Sequence, residues 1–281
     1  MKKYVIKNVK DFNLTHILEC GQCFRWKKED DGSYTGVIKN GVVNASIDEK
    51  NNVTFCYEFL DENTNILEEY FDLKRDYSNI KNLISVDDEN MINAIEYGYG
   101  IRILKQDSWE MLISYIISAA NNIPRISKTI ENISKAYGKK IYFREKEYYL
   151  FPTPEELSRA TIEELRGLNL GFRDKYVYEA TKAVVSGVVD LEKIKTKSYK
   201  EAKKELMKIN GVGAKVADCI LLFSMDKSEA FPIDTWIKKV MTKLYNTKES
   251  LKEIEICAEK RFGEYAGIAQ QYLFYYMREN T

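Results

Sequence analysis

The sequence predicts an α+β protein with an N-terminal antiparallel β-sheet domain followed by an all-helical domain. Two observations support this prediction. Up to about residue 59, short stretches rich in β-branched and aromatic residues are separated by turn sequences. From about residue 95 onward, apolar residues recur at helical spacing almost throughout. We therefore expect two domains, at 1–95 and 96–281.

The N-terminal stretches predict an antiparallel meander, with turns at residues 30–32 (DDG) and 39–41 (KNG). Two helices are expected after it, at residues 62–71 (ENTNILEEYF) and 79–86 (NIKNLISV). The predicted strands are YVIKNV (4–9), HILECG (16–21), CFRWKK (23–28), SYTGVIKN (33–40), VVNASI (42–47) and NVTFCYEF (52–59).

In the second part, residues 109–120 (WEMLISYIISAA) are nearly all apolar, which predicts a buried core helix. An amphipathic helix is expected to end at Gly138, and a β-like segment follows at 139–152. Thr153 with Glu156, and Thr161 with Glu164, have the spacing of capping boxes, so a helix is predicted to begin at each pair.

Composition excludes several classes of protein. The 281 residues carry no net charge, and no apolar run approaches the roughly 18 residues that a membrane span needs. The N-terminus has no apolar segment typical of a signal peptide, so we expect a cytoplasmic protein. Residues 191–245 hold twelve basic and seven acidic side chains, a local excess that suits phosphate contacts or a solvated helical face.

The five cysteines have no disulfide-framework spacing, which fits a reducing compartment. Cys20 and Cys23 form a C-x-x-C pair, which is found in redox motifs and zinc sites. A zinc site needs about two more ligands, and His16 is the sole histidine of the sequence. We therefore expect neither a metal nor a cofactor, and interpret the spacing as chance.

The stretch INGVGAKVADC (209–219) predicts two helices joined by a tight glycine hairpin, at about residues 200–224. Gly211 and Gly213 leave backbone N–H groups unshielded, and a helix start with free N–H groups is an anion site. Taken alone, such glycines more often belong to an ordinary helix turn with a glycine C-cap.

Lys215 adds a second signal, because the helix macrodipole disfavours a positive charge at a helix start and so favours the neutral amine. A neutral amine is a nucleophile that forms Schiff bases with sugar aldehydes, although a phosphate-contacting cation remains the alternative. Downstream, Asp234 has the position of a helix N-cap.

Gly211-Val-Gly213-x-Lys215, followed by Pro232-x-Asp234, resembles the helix-hairpin-helix, Gly-Pro-Asp superfamily of DNA base-excision glycosylases. Within it, the sequence is similar to the 8-oxoguanine DNA glycosylases, and the matches run in order along most of the chain. They comprise CGQCFRW (20–26), SAANNIPRI (118–126), LGFRDKYV (170–177), residues 210–234 and YAGIAQQYLF (265–274).

The resemblance implies a bifunctional glycosylase and lyase. Lys215 corresponds to the lysine that attacks C1′ of the damaged nucleotide, and Asp234 to the carboxylate that stabilises the cationic sugar. Once joined to C1′, the amine opens the sugar and permits β-elimination of the 3′ phosphate. The implied partner of this enzyme, expected to be a monomer, is duplex DNA that contains 8-oxoguanine.

Lesion recognition is also implied by the resemblance. Guanine and 8-oxoguanine share a Watson–Crick edge, but the lesion adds an N7–H, so selection needs an acceptor aimed at that hydrogen. Gly21 corresponds to the glycine whose carbonyl takes this role, and Gln270 to the amide that pairs with the Watson–Crick edge. Cys219 and Phe274 correspond to the two faces that sandwich the extruded base.

For the DNA, the resemblance implies that Phe172 is the wedge that replaces the extruded base, where the family commonly has tyrosine. Arg125 and Arg173 correspond to the arginines that read the orphaned cytosine, with Asn121 and Asn122 beside them. There are two further departures from the family pattern: Ala120 stands at an asparagine position, which puts strict cytosine discrimination in doubt, and Trp236 replaces a phosphate-contacting histidine.

Four alternatives rank below this hypothesis. A related glycosylase for oxidised pyrimidines usually has an iron–sulfur cluster after its last helices, and Cys257, the last cysteine here, leaves no ligands for one. A related glycosylase for alkylated bases typically lacks a lysine at the position of Lys215. A non-catalytic DNA-binding module needs the glycines of the hairpin but has no use for Lys215 and Asp234 together. A thiol oxidoreductase would need a thioredoxin-like βαβ context for its cysteines.

Overall fold

The structure is a computed structural model that describes residues 1–59 and 65–279. The N-terminal part is a five-stranded sheet in which every neighbouring pair is antiparallel, in the order β1-β5-β4-β3-β2. The strands are β1 (Lys2–Ile6), β2 (Trp26–Lys28), β3 (Tyr34–Ile38), β4 (Gly41–Ile47) and β5 (Val53–Phe59). Strands β2 to β5 form the expected meander, while β1 pairs with β5 at the far edge.

Four helices belong to this first part of the chain: α1 (Leu14–Leu18), α2 (Asn65–Tyr70), α3 (Tyr77–Ile84) and α4 (Glu89–Tyr97). Residues 62–64 of the predicted helix 62–71 lie outside the described residues. Helix α4 is absent from the sequence-based expectation. Its N-cap Asp88 accepts a hydrogen bond of 3.0 Å from the backbone of Met91.

One strand prediction is wrong, because HILECG (16–21) begins inside helix α1. Asn13 caps this helix by accepting a hydrogen bond of 3.1 Å from the backbone N–H of His16. Leu14, Ile17 and Leu18 are buried on one face, which is the spacing of a helix rather than of a strand.

The second part is helical apart from one β-hairpin, as expected. The predicted core helix is α5, of which ten residues are buried, and the capping boxes at Thr153 and Thr161 are both present. The elements are α5 (Ser108–Ser118), α6 (Ile123–Tyr137), β6 (Lys140–Phe143), β7 (Lys146–Tyr149), α7 (Pro154–Leu157), α8 (Ile162–Leu165), a π-helical turn (Arg166–Leu170), a 3₁₀ turn (Gly171–Arg173), α9 (Asp174–Val185), α10 (Leu191–Lys195), α11 (Tyr199–Leu206), α12 (Ala214–Ser224), α13 (Thr235–Tyr245), α14 (Leu251–Phe262), a second 3₁₀ turn (Gly263–Tyr265) and α15 (Ala266–Glu279).

An apolar seam joins the sheet to the helical part. Ile141, Phe143 and Leu150, in and beside the β6–β7 hairpin, pack against Val37 and Val42 of the sheet. Removing these side chains from water favours a fixed arrangement of the two parts. Among the described residues, no helix has the length and apolar character needed to cross a bilayer.

A buried carboxyl group also lies at this junction. Glu110 on α5 is 7% exposed, and burial raises the pKa of its carboxyl group to about 7, against the opposing effect of Arg25. The Arg25 guanidinium donates to the carbonyl of Tyr149 and lies 3.8 Å from the carboxylate of Glu131. Glu110 is therefore uncharged in part at neutral pH.

Candidate active site

The glycine hairpin between α11 and α12 has the backbone that its sequence predicts. Gly211 has φ = +86°, and a Cβ there would lie 2.8 Å from the Cβ of Tyr176, so only glycine fits. Gly213 begins α12 with no side-chain cap, and a Cβ on it would meet nothing within 4 Å. The start of α12 is therefore open to solvent at Gly213, as an anion site formed by the first N–H groups of a helix requires.

A buried ion pair holds the two helices of the hairpin together. The carboxylate of Asp218 on α12 accepts hydrogen bonds from the hydroxyl of Tyr199 at 2.8 Å and from the amine of Lys203 at 2.9 Å, both on α11. Burial raises the pKa of Asp218 to about 6, while Lys203 acts in the opposite direction. Removing either partner would leave a buried charge unpaired, so this pair fixes the hairpin geometry.

Lys215 lies in the first turn of α12 and is half-buried. Its amino group lies 5.4 Å from the centroid of the Tyr115 ring, and Cys219, one turn further along α12, lines the same cavity. Burial raises the pKa of that thiol to about 11, so Cys219 is an uncharged wall of the site. Tyr115, on α5, is itself supported by Phe223, with the ring centroids 5.8 Å apart and the planes stacked at 16°.

Asp234 is the N-cap of α13, as expected. One of its carboxylate oxygens accepts a hydrogen bond of 2.8 Å from the backbone N–H of Ile237. The side chain is half-buried beside Pro232, on the same cavity as Lys215.

All six residues that the sequence predicts for catalysis and base binding line one cavity. They are Gly21, Lys215, Cys219, Asp234, Gln270 and Phe274, and the wall is completed by Tyr115, Phe223, Pro232 and Gln271. The cavity measures about 50 Å³. Sites for small organic ligands span about 300–1,000 Å³, so a nucleobase enters only if a wall moves.

Phe274 is the wall residue that lies over Gly21. A Cβ on Gly21 would lie 3.3 Å from the Phe274 ring and 3.3 Å from the guanidinium of Arg278, so the aromatic ring covers the glycine closely. The guanidinium of Arg278 lies 5.7 Å from the centroid of the same ring. Gly21 has φ = +89°, which glycine adopts without strain.

Gln270 is 4% exposed, and its side-chain oxygen is buried with no hydrogen-bond partner. An unpaired buried acceptor costs about 1–3 kcal/mol, which a ligand that donates a hydrogen bond would recover. The Watson–Crick edge of a guanine or 8-oxoguanine base offers such donors. Gln270 thus has an acceptor free for a base that enters the cavity.

The two cysteines of the C-x-x-C pair flank Gly21 and Gln22 in the chain. Cys20 and Cys23 are both buried, and burial raises the pKa of the Cys20 thiol to about 11. Within residues 1–59 and 65–279, no group of three His, Cys, Asp or Glu side chains is placed to hold a metal ion.

The predicted wedge, Phe172, projects from the turn between α8 and α9 and is 62% exposed. Gly171 before it has φ = +59°, and the Arg173 guanidinium lies 4.3 Å from the Phe172 ring centroid. A large apolar side chain exposed at a loop tip makes few contacts within the free protein. It is therefore available to insert between stacked bases, as a wedge must.

Arg173 has a further role that its sequence position does not reveal. It is 6% exposed, and its guanidinium donates to the carbonyls of Ala119, Ala120 (2.9 Å) and Leu170 (3.3 Å). It thereby ties the segment 118–126 to the segment 170–177. To read a cytosine, as the resemblance implies, Arg173 would have to share or release these bonds.

The other residues predicted to contact DNA lie at the start of α6. Asn122 is its N-cap and accepts a hydrogen bond of 3.1 Å from the backbone of Arg125, whose side chain is exposed. Asn121 accepts from the backbone of Asn122 at 3.0 Å and donates to the carbonyl of Ile117 at 3.1 Å. Both asparagines thus make structural bonds, and the side chain of Arg125 is exposed beside them.

Two departures from the family pattern have visible consequences. Ala120 has φ = +49°, a left-handed conformation that asparagine tolerates better than alanine. Trp236, in the first turn of α13, has the amino group of Lys239 at 5.1 Å from its ring centroid. A cation therefore lies beside the ring of Trp236.

Sequence reasoning missed Tyr115, Phe223 and Gln271 as parts of the site. Tyr115 had one detectable signal, since it is a polar-tipped aromatic residue inside an otherwise apolar helix. Phe223 and Gln271 gave no signal, because their positions in the wall arise from packing between helices that are distant along the chain.

The hairpin, the uncapped helix start and the cavity beside them define a base-excision protein of the helix-hairpin-helix class. Residues 113–263 match the HhH-GPD superfamily of base excision DNA repair proteins, and residues 4–112 match the N-terminal domain of 8-oxoguanine DNA glycosylase. The chain is 30% identical to the N-glycosylase/DNA lyase of Saccharomyces cerevisiae, over 95% of this chain and 84% of that protein.

A probable N-glycosylase/DNA lyase of Methanothermobacter thermautotrophicus is 31% identical, over 76% of this chain and 74% of that protein. Among solved structures, the Clostridium acetobutylicum 8-oxoguanine glycosylase/lyase, in complex with double-stranded DNA containing cytosine opposite 8-oxoG, is 44% identical. Its TM-score is 0.95, over 99% of this chain and 96% of that one. The chain therefore belongs to the N-glycosylase/DNA lyase family of the HhH-GPD superfamily.

Proposed function

We propose that this protein excises 8-oxoguanine from duplex DNA and then cleaves the strand as an apurinic-site lyase. The observation that carries the proposal is one cavity that gathers Lys215 and Asp234 together with the unpaired acceptor of Gln270. A nucleophile, a carboxylate and a base-reading amide are what an extruded nucleotide needs at its sugar and at its base.

In the proposed chemistry, the neutral amine of Lys215 attacks C1′ and the bond from C1′ to N9 breaks, so the base leaves with that electron pair and takes up a proton. The second carboxylate oxygen of Asp234, which is not needed for the cap, faces the positive charge that develops on the sugar. A proton then passes from the nitrogen to O4′ as the C1′–O4′ bond breaks, which opens the sugar ring and leaves a protonated Schiff base. Loss of a C2′ proton then expels the 3′ phosphate.

In the proposed recognition step, the carbonyl of Gly21 accepts the N7–H that distinguishes 8-oxoguanine from guanine. The base lies between Cys219 and Phe274, and Gln270 pairs with its Watson–Crick edge. Guanine would present a lone pair to the same carbonyl. A mismatch of this kind discriminates more strongly than the fit around one extra oxygen.

We propose that Gly211 and Gly213 hold a backbone phosphate at the start of α12, and that Phe172 fills the gap left in the base stack. The orphaned base is contacted by Arg125 and Arg173, with Asn121 and Asn122 beside them. Exposure of Phe172 and Arg125 supports this assignment. We further propose that residues 1–95 and 96–281 act as its two domains.

The partner is double-stranded DNA, and we propose that the enzyme acts on it as a monomer without a cofactor or an iron–sulfur cluster. The archaeal and bacterial relatives support a cytoplasmic enzyme that works at the nucleoid of such a cell. Action on another oxidised or alkylated base, or DNA binding without catalysis, remains the competing hypothesis that the following experiment addresses.

The test is borohydride trapping on a duplex with a single 8-oxoguanine opposite cytosine. We expect a covalent adduct with the wild type and none with Lys215→Gln. A matched duplex that carries thymine glycol or an alkylated purine should give no adduct. Adduct formation only with one of those lesions, or tight binding with no adduct, would contradict the proposal.

A further inference from the structure

The chain contains four glutamines, and all four meet around Gly21. Gln270 and Gln271 line the cavity together with Gly21. Gln22 follows the glycine in the chain, and Gln106 bonds to the backbone of Gln22. Residue type is informative here, because an uncharged amide both donates to a carbonyl and accepts from an N–H without burying a charge.

Three of the four carbonyls in the segment 19–22 are bound by side chains. The carbonyl of Glu19 accepts from Arg278 at 2.6 Å, that of Cys20 from Gln271 at 2.7 Å, and that of Gln22 from Gln106 at 2.8 Å. The carbonyl of Gly21 accepts no hydrogen bond from any residue that the structure describes. The free acceptor therefore lies between neighbours that are fixed on both sides.

The side chain of Gln22 holds the C-terminal side of Gly21. It is fully buried, its amide nitrogen donates to the carbonyls of Ile17 at 2.9 Å and Arg102 at 2.8 Å, and its oxygen accepts from the backbone of Leu104 at 2.8 Å. An amide with these three bonds in a low-dielectric interior has one orientation, so the peptide that follows Gly21 is held.

On the N-terminal side, Gln271 is 2% exposed on α15, next to Gln270. Consecutive helical side chains diverge by about 100°, so the two amides serve different partners. Gln270 keeps its oxygen unpaired in the cavity, while Gln271 donates to the backbone of Cys20.

Glycine makes such support necessary. Without a Cβ its φ and ψ angles are soft, so its own backbone does not determine where its carbonyl points. A site that reads a hydrogen needs its acceptor within about 10–20° of the productive direction. Since each peptide group is planar, the bond to the Cys20 carbonyl holds the plane before Gly21, and the bond to the Gln22 carbonyl holds the plane after Gln22. The single peptide group that carries the Gly21 carbonyl is therefore held from both sides.

We propose that Gln271, together with Gln106 on the opposite side, is a positioning residue for lesion selectivity that aims the Gly21 carbonyl at the N7–H of 8-oxoguanine. This inference rests on the proposed function. Gln106 also connects the reading site to the nucleophile, because its backbone N–H donates to the carbonyl of Phe223 on α12 at 2.9 Å.

The test compares Gln271→Met with Gln270→Met, in single-turnover excision of 8-oxoguanine and of guanine opposite cytosine. Gln271→Met removes one donor at nearly constant volume, and we expect the ratio of 8-oxoguanine to guanine excision to fall about tenfold, the effect of about one hydrogen bond. Gln270→Met should lower both rates and leave the ratio within about twofold, because both bases share the edge that Gln270 contacts.

Cleavage of a duplex with a preformed abasic site is the internal control, since it needs Lys215 but no base recognition. We expect Gln271→Met to retain this activity. Gln106→Met, which removes the donor to the Gln22 carbonyl, should lower the selectivity ratio in the same way. An unchanged ratio in both variants, or a parallel loss of abasic cleavage, would overturn the positioning role. Wild-type protein that fails to prefer 8-oxoguanine would instead refute the proposed function.

Discussion

One carboxylate oxygen of Asp234 accepts a 2.8 Å hydrogen bond from the backbone N–H of Ile237, so the residue assigned to the sugar cation also starts a helix. Asparagine preserves a cap but carries no charge. We therefore expect Asp234→Asn to excise 8-oxoguanine roughly 10²–10³-fold more slowly while the free energy of unfolding stays nearly unchanged. Single-turnover rates and thermal unfolding measure the two effects.

Asp234→Ala separates the two roles further, because it removes the cap as well as the charge. We expect a loss of about 1 kcal/mol in the free energy of unfolding on top of the slow chemistry. Equal stability of the alanine and asparagine variants would show that the cap contributes nothing here. Excision by the asparagine variant at the wild-type rate would remove Asp234 from the mechanism.

The left-handed backbone at Ala120 leads to a second prediction. Alanine is strained at φ = +49°, whereas asparagine adopts this region readily. We expect Ala120→Asn to raise the free energy of unfolding by a few tenths to about 1 kcal/mol and to strengthen the preference for cytosine opposite the lesion. Excision measured against each of the four opposite bases is the readout. An unchanged preference would mean that this position does not control discrimination.

The exposed ring of Phe172 gives a third prediction. Because the side chain is 62% exposed, Phe172→Ala should leave stability within about 0.5 kcal/mol of the wild type. Loss of the wedge should slow excision from a fully paired duplex about tenfold, since a base-stacking contact is worth about 1–3 kcal/mol. Excision of a lesion opposite an abasic gap should change much less. Phe172→Tyr should retain activity, and equal losses on both duplexes would argue against a wedge.

The buried carboxyl group of Glu110 gives a prediction about pH. Burial raises its pKa from 4.5 to about 7. Between pH 4.5 and pH 7, the carboxyl group is therefore ionised in the unfolded chain but still protonated in the folded protein. Stability from this group is thus complete below pH 4.5 and declines as pH rises through 7. We expect the free energy of unfolding of Glu110→Gln to exceed that of the wild type by about 3 kcal/mol at pH 8 and nearly to equal it at pH 4.5. Denaturant unfolding across this range measures the difference, and parallel pH profiles would contradict it.

Most helices could be predicted because their signals are local. The capping boxes at Thr153 and Thr161, the apolar run of α5 and the glycine hairpin each depend on residues a few positions apart. The same local logic would have identified α1, where Asn13 caps a one-sided apolar stretch, but β-branched and aromatic content drew the prediction toward a strand. Helix α4 was missed because only two of its residues, Met91 and Ala94, are buried.

The residues of the cavity also differ in whether their signals are local. Its chemistry-bearing residues were found because they sit in motifs, and the structure places them on one cavity. The bonds that Gln271 and Arg173 make to distant carbonyls leave no trace in the sequence, since each joins segments more than fifty residues apart. Such contacts are created by the tertiary fold and become visible only with it.

The cavity wall is assembled from three stretches of chain. Lys215 and Asp234 lie within residues 113–263, whereas Gly21 precedes that stretch, and Gln270 and Phe274 follow it. The reactive pair therefore lies on a different stretch from Gly21, Gln270 and Phe274, while Cys219 shares a stretch with Lys215. For protein engineering, substitutions confined to the outer two stretches offer a route to new lesion preferences on an unaltered strand-cleaving centre.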